Sequence, residues 1–195
     1  HRISSTKTLG PGERYVLWLQ GCIHNCKGCV APETHSLDSG GYWIEIDEII
    51  EEIKAVKNLR GITISGGEPF LQIKSLLKVV REVRSLGLDV ICYSGYALEQ
   101  LNNNIIPKSK ELLEYVDILI DGPYIEELNF DNYLRGSSNQ NINHLKETYI
   151  QYKEKMANYK NRQIEITFTE AGEIFITGVP PKKFQSEWEN IKNCI

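Results

Sequence analysis

Long apolar runs, a signal-peptide pattern, internal repeats and low-complexity segments are all missing from this sequence of 195 residues. No stretch approaches the roughly 20 consecutive apolar residues that a membrane-spanning helix needs, and the first residues lack the pattern of a secretory leader. We therefore expect a cytoplasmic protein with no membrane partner. An excess of basic charge is missing too, since 22 Lys and Arg stand against 26 Asp and Glu, for a net charge of -4. This balance disfavours a broad nucleic-acid-binding surface.

Cysteine is also sparse, with five in the chain, but three of them are concentrated in one stretch. Cys22, Cys26 and Cys29 follow the spacing C-x-x-x-C-x-x-C within eight positions. Three clustered cysteines cannot all pair with one another, so a disulfide framework is a poor explanation. Three thiolates on one short loop suit a soft metal centre and leave one coordination position unfilled by cysteine. The apolar run Tyr15–Leu19 before them predicts a buried strand, with the cysteines on the loop at its C-terminal end.

A structural zinc site is the main alternative for these cysteines, with His24 or His35 as the fourth ligand. Zinc ribbons and fingers usually bring their ligands as two separated pairs, and the sequence has no second C-x-x-C. Cys92 lies in an apolar segment and is expected to be a small buried hydrophobe. The pattern assigns no role to Cys194. An electron carrier or zinc-binding module without catalytic activity also stays open at this point.

The length of the chain fits one domain. Strand-like and helical segments alternate along its first part. Four strands separated by helices predict an α/β fold built from βα units, with a parallel sheet or barrel. Active sites in such folds gather at the C-terminal ends of the strands. We therefore expect the cysteine loop, Glu68, Tyr93 and Asp121 to converge on one face. The predicted strands are Tyr15–Leu19, Ile62–Ser65, Leu88–Tyr93 and Val116–Ile120.

The pattern changes after residue 143. Residues His144 to Lys160 predict an amphipathic helix. Residues 162 to 177 alternate with period two around a turn and predict a hairpin. Lys182 to Lys192 predict a last helix. We divide the chain into a core of residues 1–143 and a helix–hairpin–helix extension of residues 144–195, packed on the same domain.

Four further motifs follow the cysteine motif in a diagnostic order. They are Gly66-Gly67-Glu68-Pro69, Tyr93-Ser94-Gly95-Tyr96, Asp121-Gly122 and the run from Arg135 to Gln140. In this order they resemble the radical S-adenosylmethionine enzymes, and among these the glycyl radical enzyme activating proteins of the anaerobic ribonucleotide reductase type. Gly28 favours this branch, because many other members carry an aromatic residue there. The resemblance covers about Leu9 to Asn143 and implies a partial (βα) barrel of the radical S-adenosylmethionine type.

The resemblance implies an oxidoreductase with two cofactors, a 4Fe-4S cluster held by Cys22, Cys26 and Cys29, and S-adenosylmethionine bound to the fourth iron. An electron from the reduced cluster would cleave S-adenosylmethionine into methionine and a 5'-deoxyadenosyl radical. That radical would remove a hydrogen atom from a glycine of a partner glycyl radical enzyme, with flavodoxin or ferredoxin as the electron donor. A maturase of the same chemistry, acting on another peptide or a small molecule, is the alternative.

The resemblance also implies cofactor-binding residues, each with a plainer alternative. Gly66-Gly67 would let the backbone approach the methionine moiety closely, and Glu68 would pair with its ammonium group. The alternative for this motif is a turn before a helix that starts with proline. Tyr93 and Ser94 would face the ribose and adenine, or would serve packing. Asp121 would contact the substrate or a cation, or would cap the following turn.

The run Arg135 to Gln140 is expected near the reacting face because it follows the fourth predicted strand. Arg135, Asn139 and Gln140 would offer hydrogen-bond donors to the backbone of an extended partner segment. The alternative is that Arg135 satisfies nearby carbonyls and holds its own loop shut.

Overall fold

A computed structural model gives the fold of the chain over most of its length. It describes residues 1–130, 132–159, 161–168, 172, 174–181, 183, 184, 187, 188 and 190. Within these residues no helix combines the length and apolar character needed to cross a membrane.

A six-stranded mixed sheet forms the centre of the protein, and its strands lie in chain order. They are β1 (Arg2–Thr6), β2 (Arg14–Leu19), β3 (Gly61–Gly66), β4 (Asp89–Ser94), β5 (Ile118–Asp121) and β6 (Asn141–His144). The four central strands, β2 to β5, run parallel. β1 and β6 pair antiparallel at the two edges. The predicted α/β fold with a mainly parallel sheet is therefore confirmed, whereas the two edge strands were not predicted.

Helices cover one face of this sheet. They are α1 (Ile46–Ala55), α2 (Ile73–Ser85), α3 (Leu98–Asn102) and α4 (Ser109–Leu113). The apolar residues of α1 and α2 recur at helical spacing, and the faces that they form are buried against Tyr15, Ile62, Ile64 and Val90 of the sheet. Gly87 ends α2 at a φ of 75°, a left-handed conformation that glycine adopts without strain. These connections bring each parallel strand back in the same direction, so their C-terminal ends meet at one edge.

Residues after position 143 cover part of the opposite face. Tyr149 and Met156 are buried against Ile91 and Ile118. Val179 packs in a second small cluster with Val16. β7 (Ile164–Phe168) and β8 (Ile174–Gly178) pair antiparallel as a separate two-stranded sheet. The residues that connect them are partly outside the described ranges.

The long helix predicted from His144 to Lys160 is wrong in its extent. His144 ends β6, a 3-10 helix covers Glu147–Tyr152, and α5 covers only Lys153–Asn158. Two long-range contacts hold the start of the segment away from helical geometry, because the backbone N–H of Leu145 and the hydroxyl of Thr148 both donate to Asp117. The predicted helix Lys182 to Lys192 lies largely outside the described residues. The backbone N–H of Glu187 donates to Lys183, and Phe184 stacks on Trp188.

A buried polar network fixes the N-terminal ends of the parallel strands. Arg14 is fully buried and pairs with Asp89 at 2.7 Å. The other Asp89 oxygen accepts from Arg60 at 2.9 Å and from the hydroxyl of Tyr149 at 2.5 Å. Removing one member of such a network would leave a buried charge without its partner. We infer that this end of the sheet serves stability, which leaves the opposite end for chemistry.

Candidate active site

The cysteine loop, residues 20–35, leaves β2 and is joined by backbone hydrogen bonds to the loop that leaves β3. Within the loop, Gly21 donates to Thr34 and Cys22 donates to His35. The N–H of Glu68 donates to Gly21 at 2.8 Å. A Cβ at position 67 would lie 2.2 Å from the Gly21 carbonyl oxygen. Glycine at position 67 is therefore required for the two loops to approach each other this closely.

Cys22, Cys26 and Cys29 carry half-buried free thiols on this loop. Burial raises the pKa of Cys22, and nearby Glu68 and Cys26 raise it further. Burial also raises the pKa of Cys29, with added contributions from Cys26 and Cys22. All three thiols lie on the same short loop. Soft, partly shielded thiols that can be deprotonated on metal binding are the donor set that an iron–sulfur cluster requires.

The zinc alternative for the three cysteines needs a histidine as the fourth ligand. Within the described part of the chain, no group of three or more Cys, His, Asp or Glu side chains that could hold a metal ion is found. His24, a candidate fourth ligand in the zinc alternative, is engaged elsewhere.

The carboxylate of Glu68 is the centre of a buried hydrogen-bond network, with 1% of the residue exposed. Oε1 accepts from the N–H of Phe70 and from the hydroxyl of Ser94, both at 3.0 Å. Oε2 accepts from the N–H of Gly95 at 2.8 Å and lies 2.9 Å from Nε2 of His24. The four groups come from the cysteine loop and from the loops after β3 and β4. Glu68 therefore ties three strand-exit loops together.

His24 was not predicted to contact Glu68. Its ring also lies edge-on to Tyr96, with 4.6 Å between the ring centroids. A Cβ at position 95 would lie 2.4 Å from Cδ2 of His24, so glycine at that position makes room for the imidazole. The position of a histidine inside the cysteine motif, between Cys22 and Cys26, was the sequence signal that it belongs to the site.

The structure brings Ser94 to Glu68, but it gives Tyr93 and Asp121 other partners. The hydroxyl of Tyr93 donates to the Leu134 carbonyl at 3.0 Å, and burial raises the pKa of this phenol. Asp121 accepts from the N–H of Leu98 at 2.6 Å, at the start of α3. Its other oxygen accepts from Asn141 at 3.1 Å and so joins β5 to β6. Both side chains lie at strand ends, as predicted, and both fix adjoining backbone.

The loop from Arg135 to Gln140 is held together by its own side chains. Gln140 is buried, accepts from the N–H of Gly136 at 2.8 Å and donates to the Gly122 carbonyl at 2.9 Å. Arg135 donates to the Gln140 carbonyl at 3.1 Å. Asn139 donates to the Pro123 carbonyl at 2.8 Å. The side chain of Gln140 is engaged with both this loop and Gly122, whereas Arg135 and Asn139 stay partly exposed.

Gly28 sits where the cysteine loop meets the 3-10 helix Glu126–Leu128. Its φ is 69°, in the left-handed region, and a Cβ there would lie 2.8 Å from Cδ of Glu126. The neighbouring Lys27 pairs with Glu126 at 3.1 Å. A larger residue at position 28 would disturb both the backbone and this contact. The contact of Glu126 with the cysteine loop was not predicted.

Comparison with known proteins decides the family. A family model of the 4Fe-4S single cluster domain matches residues 8–143. The anaerobic ribonucleoside-triphosphate reductase-activating protein of Escherichia coli (strain K12) is 32% identical over 145 residues, which cover 70% of this chain and 92% of that protein. The protein of the same name from Vibrio cholerae is 37% identical over 142 residues, 68% of this chain and 88% of that protein. The chain belongs to this activating-protein family.

A more distant relative has a related name. The pyruvate formate-lyase-activating enzyme of Staphylococcus aureus is 30% identical over 151 residues, 73% of this chain and 59% of that enzyme. Membership of the activating-protein family confirms the predicted resemblance. The predicted cofactors, a 4Fe-4S cluster and S-adenosylmethionine, are confirmed with it.

Proposed function

We propose that this protein is a radical S-adenosylmethionine activating enzyme that generates a glycyl radical on an anaerobic ribonucleotide reductase. The observation that carries the proposal is the junction of three free cysteines with the buried Glu68 network, inside the segment matched by the family model. When bound and reduced, a 4Fe-4S cluster held there would supply an electron for the reductive cleavage of S-adenosylmethionine.

The three cysteines would hold three irons of the cluster through their thiolates. Deprotonation is the step that burial opposes at Cys22 and Cys29, and bonding to iron supplies the compensating free energy. With three protein ligands, one iron would stay available to S-adenosylmethionine. The spacing of the motif and the position of all three cysteines on one loop support these ligand assignments.

Glu68 and its neighbours would orient the cofactor beside that iron. We assign Glu68 to the ammonium group, supported by its position one hydrogen bond from the cysteine loop. Gly66-Gly67 would help to place Glu68 there, because a Cβ at either position would clash with the backbone of Leu19 or Gly21. Ser94 would hold the carboxylate in place through its hydroxyl. Tyr93 and Asp121 would border the nucleoside part while they fix the loops that contain them.

The division of the chain into a core, 1–143, and an extension, 144–195, is supported by the end of the family match at residue 143. We propose that the sheet curves into a partial (βα) barrel. In the described residues β1 and β6 pair with no further strand, which is consistent with an open barrel. Flavodoxin or ferredoxin would supply the electron in the cytoplasm, and the net charge of -4 disfavours nucleic acid as a partner.

The partner would approach over the loop from Arg135 to Gln140. Arg135 and Asn139 are partly exposed there and carry donors suited to an extended peptide backbone. Gln140 would act indirectly, by shaping the loop through its bonds to Gly136 and Gly122.

The test is radical formation on the reductase from the same genome. Anaerobically reconstituted protein, S-adenosylmethionine, a reductant and the reductase should give a glycine-centred doublet in the electron paramagnetic resonance spectrum. Arg135→Ala and Asn139→Ala should weaken this doublet while cluster content and slow cleavage without the partner are largely retained. Equal loss of uncoupled cleavage in both variants would place the loop in the cofactor site or the fold. Cleavage by the parent with no doublet would instead favour the maturase alternative.

A further inference from the structure

The guanidinium of Arg162 lies outside the segment matched by the family model and binds the loop beside the proposed partner site. Arg162 lies just before β7, in the extension, and among the described residues it donates to six oxygen atoms. The acceptors are the carbonyls of Phe130 (2.7 Å), Asn132 (3.3 Å), Arg135 (2.7 Å), Gly136 (2.8 Å) and Pro180 (2.6 Å), and Oδ1 of Asn129 (2.8 Å). Five of these six belong to residues 129–136. A guanidinium has five N–H donors in a rigid plane and can bond several carbonyls at once, whereas a lysine has three donors on one nitrogen.

The loop that Arg162 holds includes a strained residue. Leu134 has a φ of 59°, a left-handed conformation that costs a non-glycine residue free energy. It is buried, with 2% exposed, and its carbonyl accepts from the hydroxyl of Tyr93. Such a conformation persists only where the surroundings over-determine it. The hydroxyl of Tyr93 bonds to Leu134 itself, and Arg162 bonds to the carbonyls of the next two residues, Arg135 and Gly136.

We infer that Arg162 is a positioning residue for partner recognition, by which the extension sets the shape of the loop from Leu134 to Gln140. The inference rests on the proposed function, which gives this loop to the partner. Arg162 bonds to the carbonyl of Arg135, and Arg135 in turn donates to the carbonyl of Gln140. The orientation of the Arg135 side chain toward a partner therefore depends on a residue 27 positions later in the chain.

The test compares Arg162→Gln and Arg162→Lys with the parent and with Arg81→Gln. Arg81 is a matched control, because it pairs with Glu111 on the helical face of the sheet. We expect Arg162→Gln to speed amide hydrogen exchange in residues 133–140 and to raise the reductase concentration that half-saturates radical formation. Each change should be about ten- to a hundredfold, the range for losing charge-assisted hydrogen bonds. Arg162→Lys, with one charge and fewer directed donors, should fall between Arg162→Gln and the parent.

In Arg162→Gln, the iron and sulfide content and the rate of uncoupled S-adenosylmethionine cleavage should change little. The reductase concentration that half-saturates radical formation should change far more. Parent-like exchange in Arg162→Gln would overturn the inference, as would faster exchange with unchanged half-saturation. An equal loss of uncoupled cleavage would also overturn it, because Arg162 would then serve the whole fold. If Arg162→Gln does not fold, Arg162→Lys carries the same comparisons. Absence of a glycyl radical with the parent would refute the proposed function instead, and the exchange rates would still decide whether Arg162 fixes the loop.

Discussion

Replacing Glu68 by Gln should destabilise the protein even without its cofactors. The carboxylate accepts from two backbone N–H groups, one on each oxygen: Phe70 on Oε1 and Gly95 on Oε2. An amide has only one oxygen, so in either orientation its NH₂ group faces one of these N–H groups. Ser94 and His24 can adapt, because a hydroxyl can rotate and a neutral imidazole can change tautomer. One N–H group, the buried one of Phe70 or the partly buried one of Gly95, is nevertheless left without an acceptor, which costs about 1–3 kcal/mol.

The assay is urea unfolding of the cluster-free, reduced protein under anaerobic conditions. Glu111→Gln is the control, because Glu111 makes a partly exposed ion pair with Arg81 that is worth at most about 1 kcal/mol. Glu68→Gln should also bind S-adenosylmethionine about ten- to a hundredfold more weakly, because a charge-assisted contact is lost. Parent-like stability would refute the four-donor network around Glu68. Parent-like affinity would reassign the residue to a purely structural role.

Three further changes test separate parts of the site. Alanine at any of the three motif cysteines should abolish S-adenosylmethionine cleavage, whereas Cys92→Ala, at a buried position on the sheet face covered by helices, should retain it in a product assay. Gly28→Ala should lower the free energy of unfolding by about 1–2 kcal/mol, because alanine is strained in the left-handed conformation. Truncating Glu126 to Ala in the same protein should not restore stability. Full recovery would show that the strain comes from the contact with Glu126 instead. Tyr149→Phe should cost about 1–2 kcal/mol in urea unfolding, because Asp89 loses a buried hydrogen bond; an unchanged midpoint would remove Tyr149 from the network.

The parallel part of the fold was predictable because its signals are local. An apolar run that ends in glycine indicates a strand, and isoleucine, leucine and valine at helical spacing indicate a helix. Each of these patterns lies within one short stretch of the sequence. The edge strands were missed for the same reason, since β6 has the polar sequence from Asn141 to His144 and forms by pairing with β5. The helix predicted from His144 failed because distant groups bind its first turns. Tyr149, for example, bonds to Asp89, 60 residues earlier in the chain.

The site was predictable in its residue types but less so in its connections. The motif indicates that Glu68 is functional, yet its four partners come from three different loops that meet only in the fold. Asp121 was expected to face the substrate or cap its own turn, and in the structure it caps α3. Arg162 was not indicated by any local pattern, and its six acceptors among the described residues are all at least 18 residues away in sequence.

Formation of 5'-deoxyadenosine tests the central claim most directly. Protein reconstituted anaerobically with iron and sulfide should be brown and contain about four iron and four sulfide per chain, as expected for a 4Fe-4S cluster. With S-adenosylmethionine and a strong reductant, it should release 5'-deoxyadenosine and methionine in equal amounts, and Cys26→Ala should release neither. Stoichiometric zinc with no labile sulfide, or a loaded cluster that yields no 5'-deoxyadenosine, would contradict the account.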